Sequence, residues 1–423
     1  MTPRVAVVGG GWAGCAAALT LAEAGVSVTL FEAGRKLGGR ARAVELDGQT
    51  LDNGQHILLG AYQQTLQLIH LLHPYAEPAG LWRMALTLDQ PPEFSLACPR
   101  LPAPLHLLAG LLGARGLSWH EKLAAARWVR TVLHDKRSLE HLTVGELTRT
   151  QPEKLRRLLW HPLCVSALNT PPEKASAQVF RDVIRAAFGG RTQHSDLLLP
   201  RCDLTALFPG PAAARLDELG NSVRLSSRVT LLDASTDAVT LGIRESKDRF
   251  SHAILAVAPQ HLADLVRQEP TLEPLGRAVS AYRYQPIATG YVQYDPAIRL
   301  GKPLLALADG PAQFVFDRGQ SHGQSGLLAY VASAAAGLTG DWLDRAEAQL
   351  QRIIQPGLSH WRRSIVEKQA TFSCVPDMAR PAVRTAHARI FLAGDYTAGP
   401  YPATLESATR SGVQSAGALL EQL

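Results

Sequence analysis

Arg4-Val-Ala-Val-Val-Gly9-Gly10-Gly11-Trp12-Ala13-Gly14 decides the fold. The five residues from Arg4 are a short apolar, β-branched run that stops at glycine, the pattern of a strand buried in a parallel sheet. Small residues follow from Ala13 and Gly25 supplies a C-terminal stop, which predicts a helix. Val26 to Phe31 reads as a second strand, so the chain opens on a βαβ unit. Gly9, Gly11 and Gly14 make G-x-G-x-x-G between strand and helix. The first permits the tight turn, the second lets the backbone approach a pyrophosphate, and the third lets helix and strand pack closely. Amides around Trp12 and Ala13 stand at the positive helix end, where phosphates are held. Glu32, eighteen residues after Gly14, ends the second strand, placed to accept from both hydroxyls of a ribose. Strand, helix and acid in register predict a dinucleotide site.

The residues after Glu32 separate NAD from FAD. Gly34-Arg-Lys-Leu-Gly38-Gly39-Arg40 is a second glycine-rich loop directly after the ribose acid. NAD alone has no need of it. FAD is longer, and the loop can lie along its pyrophosphate with Arg40 as counter-charge. Asp52-Asn-Gly54-Gln-His56 is a further tight turn, with polar groups suited to face a flavin ring. Near the C-terminus Phe391-Leu-Ala-Gly394-Asp395 ends a strand, and Asp395 is suited to accept from a ribityl hydroxyl. A helix beginning near Ala403 and Thr404 would aim its positive end at the flavin N1/C2 edge.

The rest of the chain is organised around this unit. Ser118-Trp-His-Glu121 is a capping box for a helix through Leu133, and Thr170-Pro-Pro-Glu173 reads as a second one, for a helix ending at Gly189-Gly190. Helices are expected from Asp203 to Gly220 and from Asp341 to Ile354. Alternation at Ile287 to Tyr294 and Leu327 to Ser333 predicts an antiparallel sheet. A strand at Arg389 to Ala393 and a helix to Leu420 return the chain to its opening βαβ unit. The dinucleotide domain is therefore discontinuous: residues 1–85, 200–260 and 385–423, with a substrate domain of 86–199 and 261–384.

Composition narrows the function classes. Of 423 residues, 46% are hydrophobic and 19% charged, which excludes a disordered chain. Cysteines 15, 98, 164, 202 and 374 are odd in number and scattered, fitting neither a disulfide framework nor a zinc site. The net charge of +6 comes from cations spread along the chain, so no nucleic-acid partner is expected. No apolar run reaches the roughly 18 residues of a spanning helix. The first residues carry no signal-peptide pattern, which points to the cytoplasm. Leu101 to Leu117, with almost no charge before Arg115, is the expected contact with a membrane surface, or else a cap helix on the substrate domain.

Together these stretches resemble the flavin-dependent amine oxidase and carotenoid desaturase superfamily. The resemblance rests on Val7 to Gly14, Glu32, Gly38-Gly39-Arg40 and Ala393-Gly-Asp-Tyr-Thr397. Leu51 to Tyr62, Pro102 to Leu108, Leu117 to Lys122, Leu204 to Pro209 and Tyr401 to Ser407 narrow it to the hydroxysqualene dehydroxylases, and it covers essentially the whole chain. It implies an α/β fold, with a discontinuous Rossmann-like FAD-binding domain of the GR2 type and an α+β substrate domain. The residue matching Val229 would contact adenine through its backbone. Ala398-Gly-Pro-Tyr-Pro-Ala403 has no match to the covalent-flavin cysteine of monoamine oxidases, so the FAD would be non-covalent. The implied reaction replaces the hydroxyl of hydroxysqualene, a C30 isoprenoid delivered by an upstream squalene-pathway synthase, with hydride. Such chemistry needs a proton donor for the departing hydroxyl and a dry apolar pocket. His56 is the candidate donor, unless it only orients its loop; Tyr62 and Tyr401 are weaker ones. A carotenoid desaturase working in the oxidative direction and a prenyl-lipid carrier are the competing readings.

Overall fold

The computed structural model describes residues 3–74 and 80–423. Strand β1 (Arg4–Val8), helix α1 (Trp12–Glu23) and strand β2 (Ser27–Phe31) form the opening βαβ unit. β1 pairs in parallel with β2 on one side and with His252–Leu255 on the other. Ser222–Arg224 adds beyond β2 and Ile390–Leu392 beyond His252–Leu255, giving five parallel strands. The inner strands are buried on both faces, which is why they read as unbroken apolar runs.

One face of this sheet is covered by α1 and the C-terminal helix Leu405–Leu420. Small side chains set how closely these helices approach. A Cβ on Gly412 would stand 2.2 Å from the Ala13 carbonyl oxygen, so the C-terminal helix seats directly on the first turn of α1. On the other face lies a three-stranded antiparallel sheet of Val229–Ala234, Val239–Ile243 and Ser246–Phe250. Phe31 and Phe250 meet there edge to face at 5.8 Å.

The second large sheet is antiparallel, in the order Leu304–Ala306, Phe314–Asp317, Leu327–Ala332, Tyr284–Gln293, Trp361–Phe372. Both alternating stretches of the sequence fall in it. Helices between residues 105 and 188 form a separate layer. Trp119–His134 starts on the anticipated capping box: Ser118 Oγ accepts the Glu121 amide at 3.3 Å, and Glu121 Oε2 accepts the Ser118 amide at 2.7 Å.

Three helix boundaries differ from expectation. Helix Ala177–Phe188 is capped by Ser176, not by Thr170-Pro-Pro-Glu173. A capping box needs its hydroxyl free for the helix, and the buried Thr170 Oγ1 instead accepts the Cys374 amide at 3.0 Å and donates to Leu168. Asp203 does cap a helix, but the run divides into Leu204–Leu207 and Pro209–Glu218. Pro209 has no amide with which to continue the ladder. The Asp341 side chain caps nothing, and its helix is Trp342–Gln351.

Candidate functional site

β1 ends at Gly9, whose φ of +111° suits only glycine, and a Cβ there would stand 2.5 Å from the Ala256 carbonyl oxygen. A Cβ on Gly14 would sit 1.9 Å from the Gly9 oxygen. Gly11 differs: the atom nearest its missing Cβ is Gly39 Cα, at 4.0 Å. That side of the loop is open to a ligand. The second glycine loop lies against the first, with the Gly38 amide donating to Gly10 O at 2.8 Å. Trp12 is buried and donates its indole N–H to Ala41 O at 2.9 Å, fixing one loop to the other. No side chain caps α1, so the amides of Trp12 and Ala13 are left for an anion.

Glu32 joins the same structure. Its Oε2 accepts the Gly10 amide at 2.8 Å and its Oε1 the Gly34 amide at 2.6 Å. Each oxygen keeps a second lone pair for an outside hydroxyl. The Ser227 amide donates to Glu32 O at 2.8 Å, which brings Val229, first residue of its strand, beside the acid.

At the far end, Arg40 and Asp395 form an ion pair at 2.7 Å, and Arg40 also donates to Ala370 O at 2.8 Å. Two residues expected to serve separate parts of a ligand are in direct contact. Gly394 donates its amide to Ser411 Oγ at 2.7 Å, and a Cβ there would strike the Tyr396 ring at 2.3 Å. The sequence reading missed Arg380. It donates to Asp395 O at 2.7 Å, Tyr401 O at 2.7 Å and Gly399 O at 3.0 Å, fixing the whole loop before the C-terminal helix. No local motif marks it, because its partners, backbone carbonyls and the Ser407 hydroxyl, lie 15 to 27 residues onward. Thr404 caps that helix, accepting the Ser407 amide at 3.1 Å, with Ala403 half-buried just before it. Glu406 in its first turn is 1% exposed and accepts from Gln64 N, Thr65 N and Thr65 Oγ1 at 3.1, 2.9 and 2.8 Å. Burial raises its carboxyl above the usual range.

The 52–56 turn rests on a second arginine that sequence did not reveal. Arg318, 1% exposed, reaches Asp52 Oδ2 at 3.2 Å and Gln55 Oε1 at 3.3 Å. Gln55 donates to Tyr291 Oη at 2.8 Å, and Tyr291 donates to Asp52 O at 2.6 Å. Burial raises the Asp52 carboxyl even against Arg318. His322 Nε2 stands 3.8 Å from Asp52 Oδ2, yet burial and Arg318 push its imidazole down to about 3, so it stays neutral and no ion pair forms. His56 Nδ1 lies 3.1 Å from Gly54 O. A carbonyl only accepts, so Nδ1 carries the hydrogen and Nε2 is left as an acceptor. Burial, joined by Arg40, holds His56 below the ordinary histidine range. Both features disfavour a charged His56 ring and present its Nε2 as an acceptor.

Near the Arg40–Asp395 pair and this turn lie buried polar atoms with no partner among the described residues: Tyr284 Oη, Thr289 Oγ1 and Tyr396 Oη. Thr289 Oγ1 is 3.9 Å from where a Gly54 Cβ would stand, and both tyrosines feel the charges of Arg40 and Asp395. Buried polar groups are nearly always paired. A row of unspent ones, continuous with two glycine loops, fits a long ligand with a polar, planar head, as a flavin has. Tyr62 and Tyr401 pack edge to face at 5.8 Å, and Tyr401 donates to Ala61 O at 3.2 Å.

Leu101 to Leu117 contains helix Leu105–Gly113. His106, Leu107, Gly110 and Leu111 are buried against the protein, while Leu105 (53%) and Leu108 (42%) are exposed, as is the nearby Trp119 (67%). Among the described residues no helix is long and apolar enough to cross a membrane.

The sequence profile of the flavin containing amine oxidoreductases matches residues 12–420. A hydroxysqualene dehydroxylase of Sinorhizobium fredii is 27% identical over 100% of this chain and 99% of its own length. One of Rhodopseudomonas palustris is 28% identical over 99% of each. A crystal structure of a putrescine oxidase variant superposes with a TM-score of 0.73 over 100% of this chain and 99% of its own, at 16% identity, a likeness of fold alone. A family match over almost the whole chain, with relatives aligned end to end, means that the chain belongs to the flavin containing amine oxidoreductase family.

Proposed function

We propose that this flavin-dependent oxidoreductase removes the hydroxyl of hydroxysqualene reductively, giving squalene, with FAD bound non-covalently. The observation that carries this reading is similarity to hydroxysqualene dehydroxylases along the entire chain. The flavin, when bound, supplies the hydride that takes the hydroxyl's place.

The chain's own residues do the rest. The Gly9–Gly14 loop and the amides of Trp12 and Ala13 would hold the pyrophosphate, Glu32 the ribose, and the backbone at Val229 the adenine. Arg40 and Asp395 would hold the middle of the cofactor, and Gly54 with Thr289 would stand by its ring. Non-covalent attachment is supported by the thiols: burial pushes Cys15 and Cys374 up to about 12 and Cys98 and Cys202 up to about 11, leaving no reactive thiolate among them. His56 acts as a positioning residue, its Nε2 accepting a hydrogen bond from the substrate hydroxyl or the ring edge. The exposed Leu105, Leu108 and Trp119 form a peripheral membrane contact through which a C30 substrate is drawn from the bilayer.

Incubating the flavin-loaded, dithionite-reduced protein with hydroxysqualene tests the reading. Squalene should form in proportion to flavin reoxidised. Reoxidation without squalene, or squalene precursors desaturated instead, would overturn it.

A further inference from the structure

A cavity of about 430 Å³ opens beside residues 153–165, on the far edge of the antiparallel sheet from the strand that carries Thr289. Its shape begins with a helix defect. Glu153–Leu155 and His161–Leu168 are α-helical, but Arg156–Trp160 between them is a π-turn, in which the His161 amide bonds Arg156 O five residues back. Pro162 brings no amide to restore the ordinary ladder, and wide turns of this kind frequently mark functional sites. The defect places Arg156, Arg157 and His161 at one cavity wall, facing Leu88, Gln90 and Phe314 across it.

The polar groups of this wall are unspent. Arg156 Nε and His161 Nε2 are buried without partners, as is Trp160 Nε1 in the same turn. Arg156 makes no ion pair among the described residues, although Glu153 lines the same rim, whereas Arg157 is held by Glu93 at 2.8 Å. Arg156 is half-buried with its Nε shielded from water, and an unpaired donor so placed costs free energy unless an anion completes it. Most of the remaining lining is apolar, from Leu88, Leu158, Val165 and Leu307, with Gln90 and Gln313 as its polar members.

We propose that this cavity binds one anionic amphiphile, a phosphate or diphosphate ester of an isoprenoid chain, with its head on Arg156 and His161 and its chain along Leu88, Leu158, Val165 and Phe314. A guanidinium and an imidazole on the same wall offer more N–H donors than the two oxygens of a carboxylate take up, and suit the several oxygens of a phosphate. The volume suits a single small ligand. An isoprenoid alcohol is the hydrolysis product of such an ester, so a reaction that releases a chain from diphosphate is the class that must supply the proposed substrate. The choice of chain rests on that reading, but the binding measurement involves no turnover, so the two fail separately.

Calorimetry on the flavin-loaded protein tests the site with farnesyl diphosphate, farnesol, inorganic pyrophosphate and phosphatidylglycerol vesicles. Farnesyl diphosphate should bind, and Arg156→Gln should weaken it by about tenfold or more, as loss of a charged hydrogen bond does, with flavin content unchanged. Val165→Phe, which fills the apolar end, should weaken it too. Equal binding of farnesol, or indifference to both substitutions, overturns the proposal. Pyrophosphate binding as tightly as its prenyl ester reduces the site to an anion hole and overturns it as well. Vesicles that abolish farnesyl diphosphate binding to the wild type, but lose that effect in Arg156→Gln, would assign the wall to a lipid headgroup instead.

Discussion

Three glycines of one motif have three different reasons to be glycine, and substitution separates them. Gly14 is forbidden a side chain by its own protein, since a Cβ would overlap the Gly9 carbonyl. Gly11 is not: its backbone is extended, with φ of −73°, and no protein atom comes within 4.0 Å of the missing Cβ. Gly11→Ala should therefore fold with a loss of no more than about 1 kcal/mol, the scale of a change at a helix N-cap, yet lose flavin affinity by two orders of magnitude, on the order of a few kcal/mol. Gly14→Ala should lose stability and flavin together, as overpacking does. Chemical denaturation without flavin and fluorescence titration with it distinguish the two. His56 gives the second prediction at this scale. A neutral ring bonded to Gly54 predicts that His56→Ala weakens flavin binding while single-turnover reoxidation by hydroxysqualene, at saturating flavin, slows less than about tenfold; a general acid would cost about 100- to 10,000-fold. A rate in wild type that falls as pH rises between 5 and 7 and becomes flat in His56→Ala would return the proton-donor role to it.

At the scale of elements, helix Leu105–Gly113 has two unlike faces. Leu111 is part of the packed core and Leu108 is not, though sequence alone offers them as equal members of one apolar stripe. An aspartate at position 111 would bury an unpaired charge and destabilise the helical layer. Leu105→Asp with Leu108→Asp touches only the exposed face, so the fold and flavin content should persist while sedimentation with anionic liposomes falls. Unchanged sedimentation would leave the helix as a cap and place the route of substrate elsewhere. The interlocked Gly10–Glu32–Gly34 bonds and the Arg380 fan show the same division: motif residues shape the loops, and residues distant in sequence hold the loops to one another.

For the whole molecule, buried neutral histidines set the acid limb of stability. His322 is held down to about 3 by burial and Arg318, against about 6.5 in the unfolded chain. Above pH 6.5 the ring is neutral in both states and the fold keeps its full stability. As pH falls through 6.5 the unfolded chain takes up the proton first, so stability is lost continuously toward pH 3. His322→Gln should remove up to about 3 kcal/mol of that loss between pH 6.5 and 4. Urea unfolding at stepped pH measures it; parallel curves for both proteins would mean that His322 is already protonated in the native state.

What the sequence alone determined was whatever depends on neighbours along the chain. The βαβ start, both glycine loops, the acid at the end of β2, the antiparallel sheet and the Ser118 capping box follow from periodicity and turn chemistry, which act over a few residues. The Thr170–Glu173 box failed because the same short pattern serves a hydroxyl bonded elsewhere, here to Cys374 across 204 residues. Tertiary structure decided the charges. It paired Arg40 with Asp395, set Arg318 under Asp52, left Arg156 without an ion-pair partner among the described residues, and through burial pushed His56 and His322 toward the neutral ring. Protonation state depends on desolvation and on charges brought close in space, and neither is written in the order of the residues until the chain has folded.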